Sequence, residues 1–278
     1  MENRKAVIVG ISGASSSGKT TLARLLRDVF PNTFVLHEDD FYRPETELPI
    51  RDGLLDWDCA EALYIPDMTR ALSYIRENGT FPPFVDSKED QNSIGECPVS
   101  DAKIAAMKAK VQAWLGPGQP GHAIFAPPSS TSSSPAPPLR VCLLDGFLLY
   151  TKQQEMAADV MPLLDIRLFL QVSRARATER RHARDGYVTL EGFWKDPPDY
   201  VEKIVWPNYV EAHKWLFEGG DVEGGRLDEG VLREYGILAQ MRGGGGGGDG
   251  VDVDMESTFE WAVEMLMKGL EGVYGKER

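Results

Sequence analysis

Residues 13–20 read Gly13-Ala14-Ser15-Ser16-Ser17-Gly18-Lys19-Thr20, with Thr21 next. The octet fits G-x-x-x-x-G-K-[ST], and it stands in the context that this pattern requires. Ahead of it, Ala6-Val7-Ile8-Val9-Gly10-Ile11 is an apolar, β-branched run, the mark of a strand buried on both faces of a parallel sheet. Behind it, Leu22, Leu25, Leu26, Val29 and Phe30 form one helical stripe that stops at Pro31. Glycines let successive backbone N–H groups turn inward around phosphate oxygens, and the start of the helix adds partial positive charge. Lys19 then reaches the β- and γ-phosphates, and the Thr20 hydroxyl serves Mg²⁺.

The strand, loop and helix together predict a P-loop NTPase fold that holds a nucleoside triphosphate through residues 13–21. Phe34-Val35-Leu36, Val141-Cys142-Leu143-Leu144, Asp165–Leu170 and Tyr235–Ala239 read as four further strands. Helical patterns lie between them, so the expectation is α/β: a parallel five-stranded sheet covered by helices on both faces. One kinase-like domain spans 1–278. Residues 59–78 look helical with a break before Pro66, and Asn78-Gly79 is the stop. The stretch 80–139 reads as an insertion outside the core. It contains one amphipathic helix (Ile104, Met107, Val111, Trp114, Leu115) and then, over 116–139, a Pro/Ser-rich disordered loop. Residues 174–200 read as a lid. A Gly-rich linker covers 242–253, with six consecutive glycines at 243–248. Ser257 and Glu260 form a capping box opening the last helix.

Composition removes several partners. With 43 acids against 30 basic residues the net charge is −13, which disfavours nucleic acid and anionic membranes. Three widely spaced cysteines, Cys59, Cys97 and Cys142, make neither a disulfide framework nor a zinc pattern. The N-terminus lacks the long apolar stretch of a signal peptide. The expected setting is the cytoplasm, or cytoplasm and nucleus. A monomer suffices for the roles below.

The second strand ends in Glu38-Asp39-Asp40, a cluster whose mutual repulsion a cation would relieve. A P-loop puts the donor phosphate at the carboxyl edge of the sheet, where these strand ends converge. Asp39 is read as the base that takes the proton of an attacking hydroxyl and as a metal contact. Asp40 is the alternative, since neighbours on an extended segment point opposite ways. Asp145, in Asp145-Gly146 at the next strand end, is read as a Walker B-type metal contact, against a simple turn. Asp58 is either a substrate contact or a helix cap closed by Glu61. Trp57 is either core or a face for a flat cationic ring. Arg176, Arg180 and Arg184, with Arg181 beside them, share one helical face, as a lid closing over ATP would need.

At this point the chain resembles the eukaryotic nicotinamide riboside kinases, of the uridine-kinase-like branch of P-loop small-molecule kinases. GISGASSSGKTTL, DDFYRP, LLDWDCAEAL, LLDGFLL, ERRHAR and PPDYVEKIVWPNY carry the resemblance, over most of 5–80 and 140–217. It implies transfer of the ATP γ-phosphoryl group to the 5′-hydroxyl of nicotinamide riboside, or of nicotinic acid riboside, in NAD biosynthesis. It implies that Asp39 is base and magnesium contact, with Thr20 the other metal contact. Tyr42 and Trp57 would sandwich the pyridine ring, with Asp40 and Phe41 on the same substrate side. Asp58 and Arg181 would hold the ribose hydroxyls, Arg180 and Arg184 the ATP, and Tyr187 and Asp196 would lie near the substrate. Trp57 stands where the family has Tyr, and the lid carries extra residues between 185 and 197.

Other readings use the same loop. A uridine/cytidine or pantothenate kinase would differ in what faces Trp57 and Tyr42. A GTPase-like switch or ATPase would lack an acceptor, but no N-K-x-D element is present. An inactive binding module sits poorly with an intact Lys19, Thr20 and Asp39.

Overall fold

Five parallel strands form the centre, in the spatial order 33–37, 140–146, 6–13, 166–170 and 237–239. A computed structural model describes residues 5–87, 95–125, 138–184, 186–189, 192–240 and 251–275. The strands are β1 (Ala6–Gly13), β2 (Thr33–His37), β5 (Arg140–Gly146), β6 (Ile166–Leu170) and β9 (Ile237–Ala239). β1 pairs with β5 from Ala6↔Arg140 to Ser12↔Gly146, and with β6 from Val9↔Ile166 to Gly13↔Leu170. That register puts the ends of β1, β5 and β2 side by side, because His37 pairs with Asp145.

Side chains alternate along β1. Ala6 and Ile8 face one buried cluster, with Leu36, Leu144 and α2 (Ile65–Asn78). Val7, Val9 and Ile11 face the other, with α1 (Lys19–Val29) and α8 (Met255–Gly275). All eight residues of β1 are buried, as an apolar run without alternation requires. The α/β expectation holds.

Several local expectations change. Residues 60–62 form a 3₁₀ turn and α2 starts at Ile65, with Pro66 in its first turn, where a missing N–H costs nothing. Gly79 ends it at φ 69°, as a left-handed cap. Tyr235 belongs not to the last strand but to a short helix, α7 (Glu229–Tyr235), that leads into it. The Trp/Pro-rich stretch after the arginines is a hairpin, β7 (Tyr187–Thr189) with β8 (Gly192–Trp194), followed by α6 (Trp206–His213). Residues 50–55 make a second small hairpin, β3 (Ile50–Arg51) and β4 (Leu54–Leu55).

The insertion is the largest revision. α3 (Asp101–Trp114) packs Met107, Val111 and Trp114 into the core shared by α1 and α8. Within the stretch read as disordered, Pro120–Phe125 is a helix, α4, whose Gly121 lets the backbone approach the Trp114 ring; a Cβ there would lie 2.5 Å from it. Residues 126–137 and 241–250 lie outside the described residues. The last helix is capped not by Ser257 but by Asp254, whose carboxylate accepts from the Ser257 N–H at 2.8 Å. Asp254 wins because its carboxylate lies opposite the first free N–H groups; Glu260 turns to Lys103 instead.

Candidate active site

The phosphate loop is pre-formed. Gly13 packs so closely on β6 that a Cβ would lie 2.2 Å from the Leu170 carbonyl, and its φ is 147°. Gly18 turns at φ 100° into α1. Inside the curl the Ser16 and Ser17 hydroxyls are buried without hydrogen-bond partners. Buried polar atoms without partners are rare, and here they ring the place where phosphate oxygens would sit. Lys19 donates from Nζ to the Ala14 carbonyl at 2.9 Å, so the loop itself holds its ammonium. Burial lowers the Lys19 pKa, and Asp145, Asp39 and Glu38, in that order, work against this. Three carboxylates therefore face one lysine.

Those carboxylates divide their tasks. Residues 38–41 do not continue the strand but form one 3₁₀ turn, whose free N–H groups favour nearby acids. Asp40 turns back, its Oδ2 accepting from the His37 N–H at 3.4 Å. Asp39 is exposed at the turn, and its charge reaches Lys19 and Tyr42. The turn thus separates the two acids that an extended segment left equivalent. Asp145 is buried, and His37 Nδ1 meets its Oδ1 at 2.5 Å. Burial alone would raise the Asp145 pKa, yet His37, a hydrogen bond from Thr20, and Lys19 bring it below the usual carboxylate range.

Glu38, not singled out by its sequence, braces this edge. Fully buried, it accepts from the Phe147 and Leu148 N–H groups at 2.6 and 3.1 Å through Oε2. Burial pushes its carboxyl up to about 8, against the two N–H bonds, with the Asp39 charge adding to the rise. A side chain at Gly146 would come within 2.6 Å of Glu38 Oε2. The residues after β5 are thereby tied to the end of β2.

Tyr42, which feels the charges of both Asp39 and Asp58, borders an aromatic and ionic pocket. Arg181 is 7% exposed. Its Nε and Nη2 donate to Asp196 at 2.6 and 3.1 Å, and its Nη1 donates to Asp58 at 3.2 Å and to Ser15 Oγ at 2.8 Å. Burial works against the Arg181 charge, but Asp58, Tyr187 and Asp196 more than restore it. One guanidinium thus joins Ser15 of the loop, Asp196 and Asp58. The capping box read for Asp58 does not form, because Cys59 takes the cap position of the 60–62 turn and Asp58 turns to Arg181.

Trp57 is buried, its indole N–H without a partner. Tyr42 meets it edge to face, centroids 5.1 Å apart and planes at 88°. Faces at right angles cannot sandwich one flat ring, so the Tyr42–Trp57 pairing changes. The ring that leans over Trp57 is Trp194, at 5.6 Å and 57°, with its Nε1 donating to Asp196 at 3.1 Å. Trp194 was legible only as a large ring in a charged, proline-rich stretch. Tyr42 instead stacks on Phe147 at 6.3 Å and 25°. Burial, then Asp39 and Asp58, keep the Tyr42 hydroxyl protonated by raising its pKa well above the ordinary value.

Phe41 joins the main core and offers no surface to a ligand. The lid arginines also separate. The helix α5 (Arg174–His182) ends before Arg184. Arg180 donates to the Ser16 carbonyl at 3.3 Å, and Arg181 and Arg184 each lie 5.2 Å from the Tyr187 ring. Arg176 turns to Glu179 at the surface, 3.6 Å away, because that acid sits one turn on. Beside the loop, Ser17, Arg180, Gln240, Asp252, Met255 and Thr258 line a narrow cleft.

Among the described residues, no three His, Cys, Asp or Glu side chains cluster closely enough to hold a metal by themselves, and no helix is long and apolar enough to cross a membrane.

This chain is similar to proteins named nicotinamide riboside kinase. That of Schizosaccharomyces pombe is 38% identical over 231 residues, 82% of this chain and 88% of the relative. The Saccharomyces cerevisiae protein is 30% identical, covering 81% and 84%. Nicotinamide riboside kinase 2 of Homo sapiens is 31% identical, covering 82% and 76%. No protein-family model matches the chain.

Proposed function

This chain belongs to the nicotinamide riboside kinase family, and from that premise we propose that it transfers the γ-phosphoryl group of ATP to the 5′-hydroxyl of nicotinamide riboside, in NAD salvage. The observation that carries the reading is the juxtaposition of Asp39, exposed and within reach of the Lys19 charge, with the pocket of Trp57, Trp194, Asp58 and Arg181. Asp39 takes the proton from the attacking hydroxyl. Asp58 and Arg181 hold ribose hydroxyls, and the two indoles receive the pyridinium ring, whose fixed positive charge suits an aromatic face.

Mg²⁺ fits the donor set, and its binding is part of the proposal. Thr20, Asp39 and Asp145 offer hard oxygen ligands around the loop, too few to hold the ion without phosphate oxygens, as Mg²⁺ sites of this kind usually are. When bound, the ion neutralises charge on the transferring group. Its removal by a chelator abolishes turnover, and readdition restores it. The base of the donor enters beside the loop, past Ser17, Arg180 and Thr258, where the cleft of about 20 Å³ must widen to admit it.

The deciding experiment is an acceptor panel with ADP detection. Nicotinamide riboside is turned over well, nicotinic acid riboside is compared with it, and uridine and pantothenate are poor. Uridine turnover without that of nicotinamide riboside overturns the reading. Trp57→Leu raises the KM of the cationic riboside and leaves that of ATP unchanged.

A further inference from the structure

α8 enters the donor cleft with its first turn. The Met255 methyl lies 2.3 Å from where a Cβ on Gly18 would be, directly on the phosphate loop. Just before it, Asp252 accepts from the Ser173 N–H at 2.8 Å and from its hydroxyl at 2.7 Å. Thr258 Oγ1 reaches Gln240 at 3.4 Å across the same cleft. A further element holds the body of α8 behind this turn.

α3 does so. The Ser100 N–H donates to Glu256 at 2.8 Å, Lys103 pairs with Glu260 at 2.7 Å, Lys110 with Glu264 at 2.5 Å, and Trp114 Nε1 donates to Glu271 at 2.7 Å. Numbers rise together on both helices, so they run parallel. Glu256, Glu260, Glu264 and Glu271 fall on one stripe, at the spacing that a helix face repeats. Beneath this polar row, Met107, Val111 and Trp114 join Phe259, Val263 and Leu266 in one buried cluster. Trp114 also meets Phe30 at the end of α1, centroids 6.2 Å apart. α1 begins at Lys19 and α8 at Met255, so α3 is wedged against both helices whose first turns frame the donor phosphate.

We infer that residues 99–125 are a brace for the donor site, setting nucleotide affinity by holding the first turn of α8 against the phosphate loop. The brace touches no ligand; it acts through Met255, Asp252 and Thr258. The inference rests on the reading that this cleft takes ATP.

The test reverses the exposed pairs. Lys103→Glu with Lys110→Glu sets like charges against Glu260 and Glu264. Adding Glu260→Lys and Glu264→Lys restores opposite charges in swapped positions. ATP binding is measured by calorimetry on the full chain without acceptor, and steady-state constants are measured alongside. The reversal weakens ATP binding about 3- to 10-fold and raises the ATP KM equally, while kcat and the acceptor KM stay within about twofold, and the swap recovers most of the loss. Lys110→Ala shifts ATP binding the same way by a smaller factor, in case the double reversal fails to fold. Unchanged ATP affinity overturns the brace. So does a loss shared equally by donor and acceptor that the swap does not recover. If the unaltered chain binds no ATP, the donor reading falls, and the brace with it.

Discussion

The phosphate loop and the pocket around Arg181 meet at Ser15 and are built in opposite ways. The loop is eight consecutive residues whose contacts are mostly their own backbone: Lys19 donates to Ala14, and the Ser17 N–H donates to the Ala14 carbonyl at 3.1 Å. The pocket gathers Tyr42, Trp57, Asp58, Arg181, Trp194 and Asp196 from segments more than 150 residues apart, and its centre is one buried cation between two acids. A loop of this kind carries its own shape, and its neighbours Met255, Arg180 and Arg181 pack on it from outside. A pocket of this kind fails when any one segment shifts.

The largest expected effect tests what joins the two halves. Asp39→Asn lowers turnover by about 10²- to 10⁴-fold through loss of a base, with ATP binding within about twofold, read by single-turnover kinetics and calorimetry. Turnover near that of the unaltered chain would hand the role to Asp40. Next, Arg181→Met leaves Asp58 and Asp196 facing each other in a buried site. Urea unfolding should show a loss of about 3–5 kcal/mol, together with a raised acceptor KM. A loss that spares acceptor binding would show that the cation serves the fold alone.

A smaller effect comes from the hinge between the halves. Glu38→Ala strips the partner from the Phe147 and Leu148 N–H groups and costs about 1–3 kcal/mol, whereas Glu38→Gln keeps an acceptor oxygen and most of that stability. Equal losses in the two variants would refute the brace at this edge.

The smallest involves His213, at the end of α6. It is fully buried between Tyr209 and Phe169, and burial pushes its pKa down to about 4 from an ordinary 6.5. The unfolded chain takes up this proton near pH 6.5 and the folded chain only near pH 4. Between them the unfolded state binds more protons, so the stability present above pH 6.5 is lost as pH falls. About 1 kcal/mol should go between pH 7 and 5.5, and His213→Phe should flatten that slope in thermal melts.

How much was legible depends on how far each signal reaches. The first strand and the phosphate loop lie in one contiguous stretch, and the structure has them in that order, with β1 running past Ile11 to Gly13. The three acids after β2 announced a charged strand end. Their division into Asp39 outward, Asp40 turned back and Glu38 buried required the 3₁₀ turn and the neighbouring β5. Trp194 carried no local mark of its role, because its partner Trp57 lies more than 130 residues earlier. The helix at 101–114 was visible by its period, but not its burial. Its acidic partners sit at the far end of the chain, and a glutamate stripe on α8 reads as a solvated face until lysines are set against it.

By itself the amino-acid order determined the nucleotide cradle and the parallel sheet that presents it, because turn geometry and hydrophobic period are settled within a few residues. Only the tertiary structure decided how the three acids after β2 divide, which indole leans over Trp57, and that the helix at 101–114 joins the core. Those outcomes depend on which side chains become buried together, and burial is a property of the spacing between elements, not of any one of them.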